Sequence, residues 1–410
     1  KNLIGNINIQ HQPDESRNIN INLDYLVYDN KNPTDYRNDH FSGDGKFTAS
    51  RHMFSTKHTT IRMLPMQVDY SRKMGDKAGF ESGVKAVFNS FTNDVAVDWL
   101  QDGNRIPDPE FSADYSSREN IAAAYVSAKW HPDTRNTFQA GLRYEYTTTQ
   151  LGTTLQKNII DRKYGEWFPT LYWSRTLGRQ QQVSLALNRR INRPSFNDLA
   201  PFIIFWDPNT FMSGNSALQP SLSQAVKADY IFRHWVFSIG YTYEKNAIGP
   251  FQVTMDTEAN KQYMTAQNLD YLKTLNSSLT LPVTITPWWR FQVVAQVNHQ
   301  EARASYTPKI NTVSIWSGAV SGSQNFTLGS QYAIELSGNY QTSTLFGVSK
   351  IKPLGMLNFA IRKKIARTGA TWIAGVDDIF PETKSKRLWT FRGSTTMALQ
   401  ISSFVKEFSK

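Results

Sequence analysis

Apolar and polar residues alternate with a period of two along most of the chain. In WVFSIGYTYE (235–244), Trp235, Phe237, Ile239, Tyr241 and Tyr243 share one face, and Ser238, Gly240, Thr242 and Glu244 share the other. In LNSSLTLPVTI (275–285), Leu275, Leu279, Leu281, Val283 and Ile285 oppose Asn276, Ser278, Thr280 and Thr284. In FQVVAQVNHQ (291–300), Phe291, Val293, Ala295 and Val297 oppose Gln292, Gln296, Asn298 and Gln300. A last run keeps phase from Trp389 through Phe391, Met397 and Leu399 to Ile401. Strict alternation of this length predicts β-strands rather than helices. Strands of soluble proteins usually have about 5 to 6 residues, whereas membrane-spanning strands need roughly 9 to 11.

The polar faces carry charge. Arg143 and Glu145 share a face, as do Lys227 and Asp229, and Glu244, Glu335 and Arg362 also oppose apolar rows. A sandwich buries its apolar face, whereas a membrane barrel turns that face to lipid and its charges to a wet lumen. Period alone does not separate the two, but the connections do. Short turns fall near 131–136, 177–180, 233–235, 286–290, 328–331 and 366–370, with longer polar loops between them at 147–162, 245–262 and 302–313. Short turns on one rim and long loops on the other are the outer-membrane arrangement. Trp130, Trp235, Trp288, Trp289 and Trp372 cluster at the short-turn ends, where an interfacial girdle belongs. The expected fold is an all-β, antiparallel transmembrane β-barrel with about sixteen strands in this chain. It occupies 1–410 as one barrel domain.

Composition narrows the chemistry. The chain has no cysteine, which removes disulfides and thiolate sites. Its seven histidines form no HExxH, and His52 and His58 lack a third metal ligand nearby in sequence. The stretch DYRNDHFSGDG (35–45) lacks calcium-loop spacing and reads as a solvated loop. A net charge of +11 is scattered, with its densest cluster at Lys384–Arg387, so no nucleic-acid stripe is formed. No GxSxG and no local Ser/His/acid grouping occurs, so no catalytic residue, metal or cofactor is expected. No run reaches the length of a membrane helix, and the negative mean hydropathy fits a chain with only one lipid-facing side per strand.

One stretch breaks the alternation. RRINRPSFNDLAPF (189–202) leads into FIIFWDPNTF and then SGNSALQPS. Pro194, Pro201, Pro208 and Pro220 interrupt any continuous ladder here. The order Arg-Pro-Ser, Pro-Phe, Asp-Pro, Gly-Asn-x-x-Leu-x-Pro resembles the outer-membrane β-barrel family of Bacteroidetes-type bacteria, related to the barrels of TonB-dependent receptors. The matching positions are Arg190, Arg193, Pro194, Ser195, Pro201, Phe202, Asp207, Gly214, Asn215, Leu218 and Pro220. Ser216 and Ser221 depart from the receptor signature, which has Pro and Glu there. NFAIRKKI (358–365) and GVDDIF (375–380) resemble the family's late strand pair.

The resemblance implies an extracellular-rim loop; either these strands close alone, or the chain forms part of a 22-strand barrel whose plug and first strands lie upstream. Arg190 and Arg193 are expected to tie that loop to lumenal carboxylates. Phe202, Phe205, Trp206 and Phe211 are candidates for a ligand surface. The implied function is ligand binding and import across the outer membrane of a Gram-negative bacterium. Implied partners are outer-membrane lipids, a TonB-type energy-coupling protein, and a surface lipoprotein or other outer-membrane proteins. The alternative is a non-transporting scaffold or assembly subunit of an outer-membrane protein complex.

Overall fold

The computed structural model describes residues 1–109, 111–200, 203–207, 210–256, 261–305, 311–365, 370–379, 388–389 and 401–402. Alternating segments pair with their sequence neighbours into one antiparallel meander. It begins Asn2–Asp14, Arg17–Phe41, Phe47–Met74, Ala78–Gln101, Ala113–Trp130, Asn136–Gly152 and Ile160–Gly178. It continues Gln181–Asn192, Ser221–Phe232, Trp235–Lys245, Tyr271–Thr286, Trp289–Ala304, Asn311–Leu328, Tyr332–Gln341, Leu354–Lys364 and Thr371–Val376. Among the described residues this sheet has nineteen strands, and setting aside the short Asn104–Pro107, Leu388–Trp389 and Ile401–Ser402 leaves sixteen, in line with the about sixteen expected. Among the described residues no pairing joins the first strand to the last. The late pair is present, with Phe359 opposite Val376. Lys384–Arg387 and most of the final alternating run lie outside the described residues.

The two faces differ in solvent exposure as the period demands. On Trp235–Lys245, Phe237 and Ile239 are each 43% exposed, while Ser238 between them is 6% exposed. The neighbouring strand keeps phase, because Phe237 pairs with Leu279 and Ile239 with Ser277. A one-residue slip would exchange the faces, so the apolar row fixes the register. Trp130, Trp235, Trp288 and Trp372 are exposed beside the short turns. The turn at 328–331 and a further one at 75–77, between Phe47–Met74 and Ala78–Gln101, use glycine in the left-handed region, Gly329 at φ 65° and Gly75 at φ 64°.

Three strands are longer than a membrane requires. Arg17–Phe41, Phe47–Met74 and Ala78–Gln101 have 25, 28 and 24 residues. At roughly 3.3 Å per residue the longest reaches about 90 Å, well beyond a hydrocarbon core of about 30 Å. The stretch 35–45 is therefore not a free loop: strand continues to Phe41 and turns over 42–46. The projecting part has its own apolar packing, with Met53, Val95 and Val97 buried against Tyr36, Trp99 and Phe111.

The long connections also hold more order than their polarity suggests. The expected loop 245–262 contains Ile248–Asp256, which pairs back on Lys261–Asn268. Thr210–Ser213 runs parallel to Lys261–Asn268 and antiparallel to Ile203–Asp207, completing a separate four-stranded sheet. The prolines stop the main ladder between Asn192 and Ser221, and this gap supplies two of the second sheet's four strands.

Candidate functional site

The proline-rich stretch folds into a cap at the long-loop end of the meander. Gln181–Asn192 leaves Ile160–Gly178 after the Thr170–Asn188 pair. The chain then turns into a single helical turn, Phe196–Leu199. Ser195 caps it, accepting from the Asp198 backbone N–H, while the Ser195 N–H donates to the Asp198 carboxylate at 2.8 Å. Such a reciprocal box satisfies donors that a helix start leaves open. Leu199 and Ala200 enter an apolar cluster with Tyr115, Leu151, Ile160, Leu218 and Ala266. The cap is thereby packed on three wall strands and on the second sheet.

Several of the matching positions make defined contacts in the structure. Gly214 passes against the Ala200 backbone, where an added Cβ would lie 2.1 Å from the Ala200 carbonyl oxygen. Asn215 donates its amide to the Ala266 carbonyl at 3.0 Å and accepts from the Ala217 N–H at 2.9 Å. Leu218 is fully buried. The Arg162 guanidinium donates to the carbonyls of Leu218 and, at 2.7 Å, Ser216. Pro220 delivers the chain into Ser221–Phe232. Pro201 and Phe202 lie outside the described residues. Phe205, Trp206 and Asp207 are described by their backbone, with Phe205 opposite Phe211 and Asp207 opposite Thr210. Phe211 is 3% exposed and stacks with Phe111 at 6.3 Å and Tyr263 at 5.6 Å, so it packs the cap rather than forming open surface.

One ion pair, Arg193–Glu145, fastens the cap to the less exposed face of the wall, and others link the wall residues around it. Arg193 donates to Glu145 at 2.6 Å and to the Thr147 hydroxyl at 2.9 Å, and Arg143 takes the other Glu145 oxygen at 2.6 Å. Arg190 is exposed and does not share this tie; its neighbour Arg189 meets Glu166 at 2.7 Å instead. These arginines line a cavity of about 680 Å³ together with Tyr125, Phe168 and Gln67. Below it, Tyr125 donates to Asp69, which also accepts from Gln67. Elsewhere on this face, Asp229 accepts from Lys227 at 2.8 Å and from Ser238, and Glu244 accepts from Ser221. Glu335 and Arg362 fall on one face of paired strands but form no ion pair with each other among the described residues.

Sequence reasoning missed Glu166, Arg189 and Arg162, because such pairings depend on cross-strand register. Glu166 and Arg162 do share the inward phase of Tyr164 and Phe168, which is a readable signal. No cluster of three or more His, Asp or Glu suited to a metal occurs among the described residues. His58 meets Asp29 at 3.1 Å, and His52 meets Asp35.

A meander of long strands with apolar outer rows, short turns at one end and a packed cap at the other defines an outer-membrane β-barrel wall. The chain belongs to the outer membrane protein beta-barrel family, whose model matches residues 11–401. A search of curated protein sequences found no match. Among solved structures, the ferric-catecholate import receptor Fiu from E. coli K12 is similar at a TM-score of 0.62 and 11% identity, covering 94% of this chain and 60% of that one. The copper transporter OprC gives 0.60 and 11%, covering 95% and 67%. FpvA of P. aeruginosa, in complex with a pyoverdine and iron, gives 0.60 and 12%, covering 94% and 52%. The likeness is one of fold, and the chain spans about three fifths of the length of Fiu. The protein is an outer-membrane protein.

Proposed function

We infer that this chain forms the wall and extracellular cap of a TonB-dependent-type import receptor. The observation that carries the reading is the cap itself. Arg193 anchors it to Glu145, beside the Arg189–Glu166 tie between two wall strands, above a polar, ion-paired face that continues along the strands through Asp69, Asp229 and Glu244. In this reading that face is the lumen, the exposed apolar rows meet lipid, and the short turns are periplasmic. A charged, hydrogen-bonded lining suits passage or docking of a polar ligand, and the aromatic stack Phe111–Phe211–Tyr263 supports the cap over it. Ligand specificity then belongs to the second sheet and the loops around it, since such segments vary most freely on a rigid scaffold.

The test is deletion of the strand pair 203–213 in the full-length protein, read alongside loss of the cell's TonB system. The expected outcome is loss of ligand-dependent growth in both strains, with neighbouring outer-membrane proteins assembled normally. If growth is indifferent to TonB while a stable complex of outer-membrane proteins falls apart, the chain is a scaffold and the import reading is lost.

A further inference from the structure

The exposed face of the early strands carries a furrow of about 450 Å³. Two successive rows across four strands make it. One reads Met66, Ala86, Ala122, Tyr146, and the next reads Val68, Val84, Ala124, Tyr144. Alanines at the centre leave the backbone low, while Met66 and Val68 stand on one side and the two tyrosines on the other. Val68, Val84 and Tyr146 are all exposed. A long apolar chain laid along the strands would fill the furrow and bury these side chains.

Four residues nearer the cap, the same four strands give the row Arg62, Ser90, Arg118, Gln150. A step of four residues keeps every side chain on the furrow's face, because strand side chains repeat every two. Arg62 and Arg118 stand two strand spacings apart, roughly 10 Å. Both are exposed, and neither has an ion-pair partner among the described residues. Asp161 follows Gln150 in the row and ends the basic stretch. Phe88, exposed between Ser90 and Ala86, links the basic row to the furrow. Two guanidinium groups with a hydroxyl and an amide between and beside them form a line of donors directly above an apolar trough.

We propose that the Arg62–Ser90–Arg118–Gln150 row and the alanine-floored furrow beneath it are one binding site for a phosphorylated membrane lipid. The acyl chain lies in the furrow and the phosphate bridges the two arginines. Charge complementarity selects this occupant. Guanidinium forks match phosphate oxygens, and basic residues at headgroup level attract anionic lipid. A neutral apolar partner would leave both arginines unused at its margin. The orientation rests on the reading above that this rim is extracellular, which makes the lipid one of the outer leaflet, of the phosphorylated glycolipid class.

The experiment uses the full-length protein in phosphatidylcholine nanodiscs doped with lipid A, with dephosphorylated lipid A, or with neither plus inorganic phosphate. Bound lipid is counted by native mass spectrometry. The expected result is retention of lipid A over its dephosphorylated form. Arg62→Gln combined with Arg118→Gln should lower retention on the order of thirtyfold. Ala122→Leu, which fills the trough, should weaken both lipids while heat-modifiable gel mobility confirms folding. Equal retention of both lipids, or unchanged retention by the double variant, overturns the site. So does binding of inorganic phosphate undiminished by Ala122→Leu, which would mark a bare anion patch. None of these readouts involves uptake, so failure of the import reading leaves them untouched.

Discussion

Gly214 shows how a single residue sets the cap. Its Cα lies so near the Ala200 backbone that any Cβ meets main-chain atoms, which cannot rotate away as a flexible side chain would. Gly214→Ala should therefore displace the turn at 214–218, pull Leu218 from its buried cluster and cost about 1 to 3 kcal/mol, the usual penalty of overpacking. Limited proteolysis within 193–220 checks this, with faster cleavage than wild type expected and an unchanged barrel remnant. Asp133 offers a residue-scale test of pH at a short turn. Its carboxylate accepts from the Asn136 side chain and from the backbone N–H groups of Arg135 and Asn136, which together hold its pKa below the ordinary carboxylate value. A depressed folded pKa stabilises above the unfolded value and loses that contribution as pH falls through the folded one. Wild type should exceed Asp133→Asn in urea resistance near neutrality, and the gap should close as the medium is acidified below the ordinary carboxylate range. A gap independent of pH would show that the turn does not need the charge.

At the scale of the element, period and register assign each strand an outer and an inner face. Ile239→Arg places a guanidinium in the exposed apolar row and should cost roughly 2 to 4 kcal/mol near mid-membrane. Thr242→Arg, on the opposite face of the same strand, should cost far less. Ser238 is a poor comparison position, because it is buried and donates to Asp229. Folding into lipid vesicles measured against urea separates the two, and equal losses would reverse the assigned faces. Much of this level was legible in the sequence, since alternation depends on the residues of one strand. The strand count and turn positions followed from it. What stayed hidden was order that depends on distant partners. The second sheet joins Thr210–Ser213 to Lys261–Asn268 in parallel, a pairing no local pattern announces. The Arg189–Glu166 and Arg193–Glu145 ties likewise need cross-strand proximity, so the sequence pointed to Arg190 and Arg193 where the structure pairs Arg189 and Arg193. Phe211 misled for the same reason: an aromatic in a rim loop reads as surface until the Phe111 and Tyr263 rings are placed beside it.

For the whole molecule, direction across the membrane decides on which side the cap and the basic row of the furrow lie. The asymmetry is physical. Connections at one end, such as 179–180 and 233–234, only reverse the chain. Those at the other support three strands of 24 to 28 residues, a capped helical turn and a separate sheet. Bulk of that kind belongs on the side where ligands arrive, and a chain without cysteine allows the assignment to be tested cleanly. Leu155 is 98% exposed in the connection 153–159, and Gln180 is exposed in a short turn. Cysteine introduced at 155 should react with a membrane-impermeant maleimide in intact cells, whereas cysteine at 180 should react only after the outer membrane is opened. The reverse result would move the cap, with Gly214, Arg193 and the second sheet, to the periplasmic side. It would also put the Arg62–Arg118 row in the inner leaflet, and the import reading would lose the surface on which it receives a ligand.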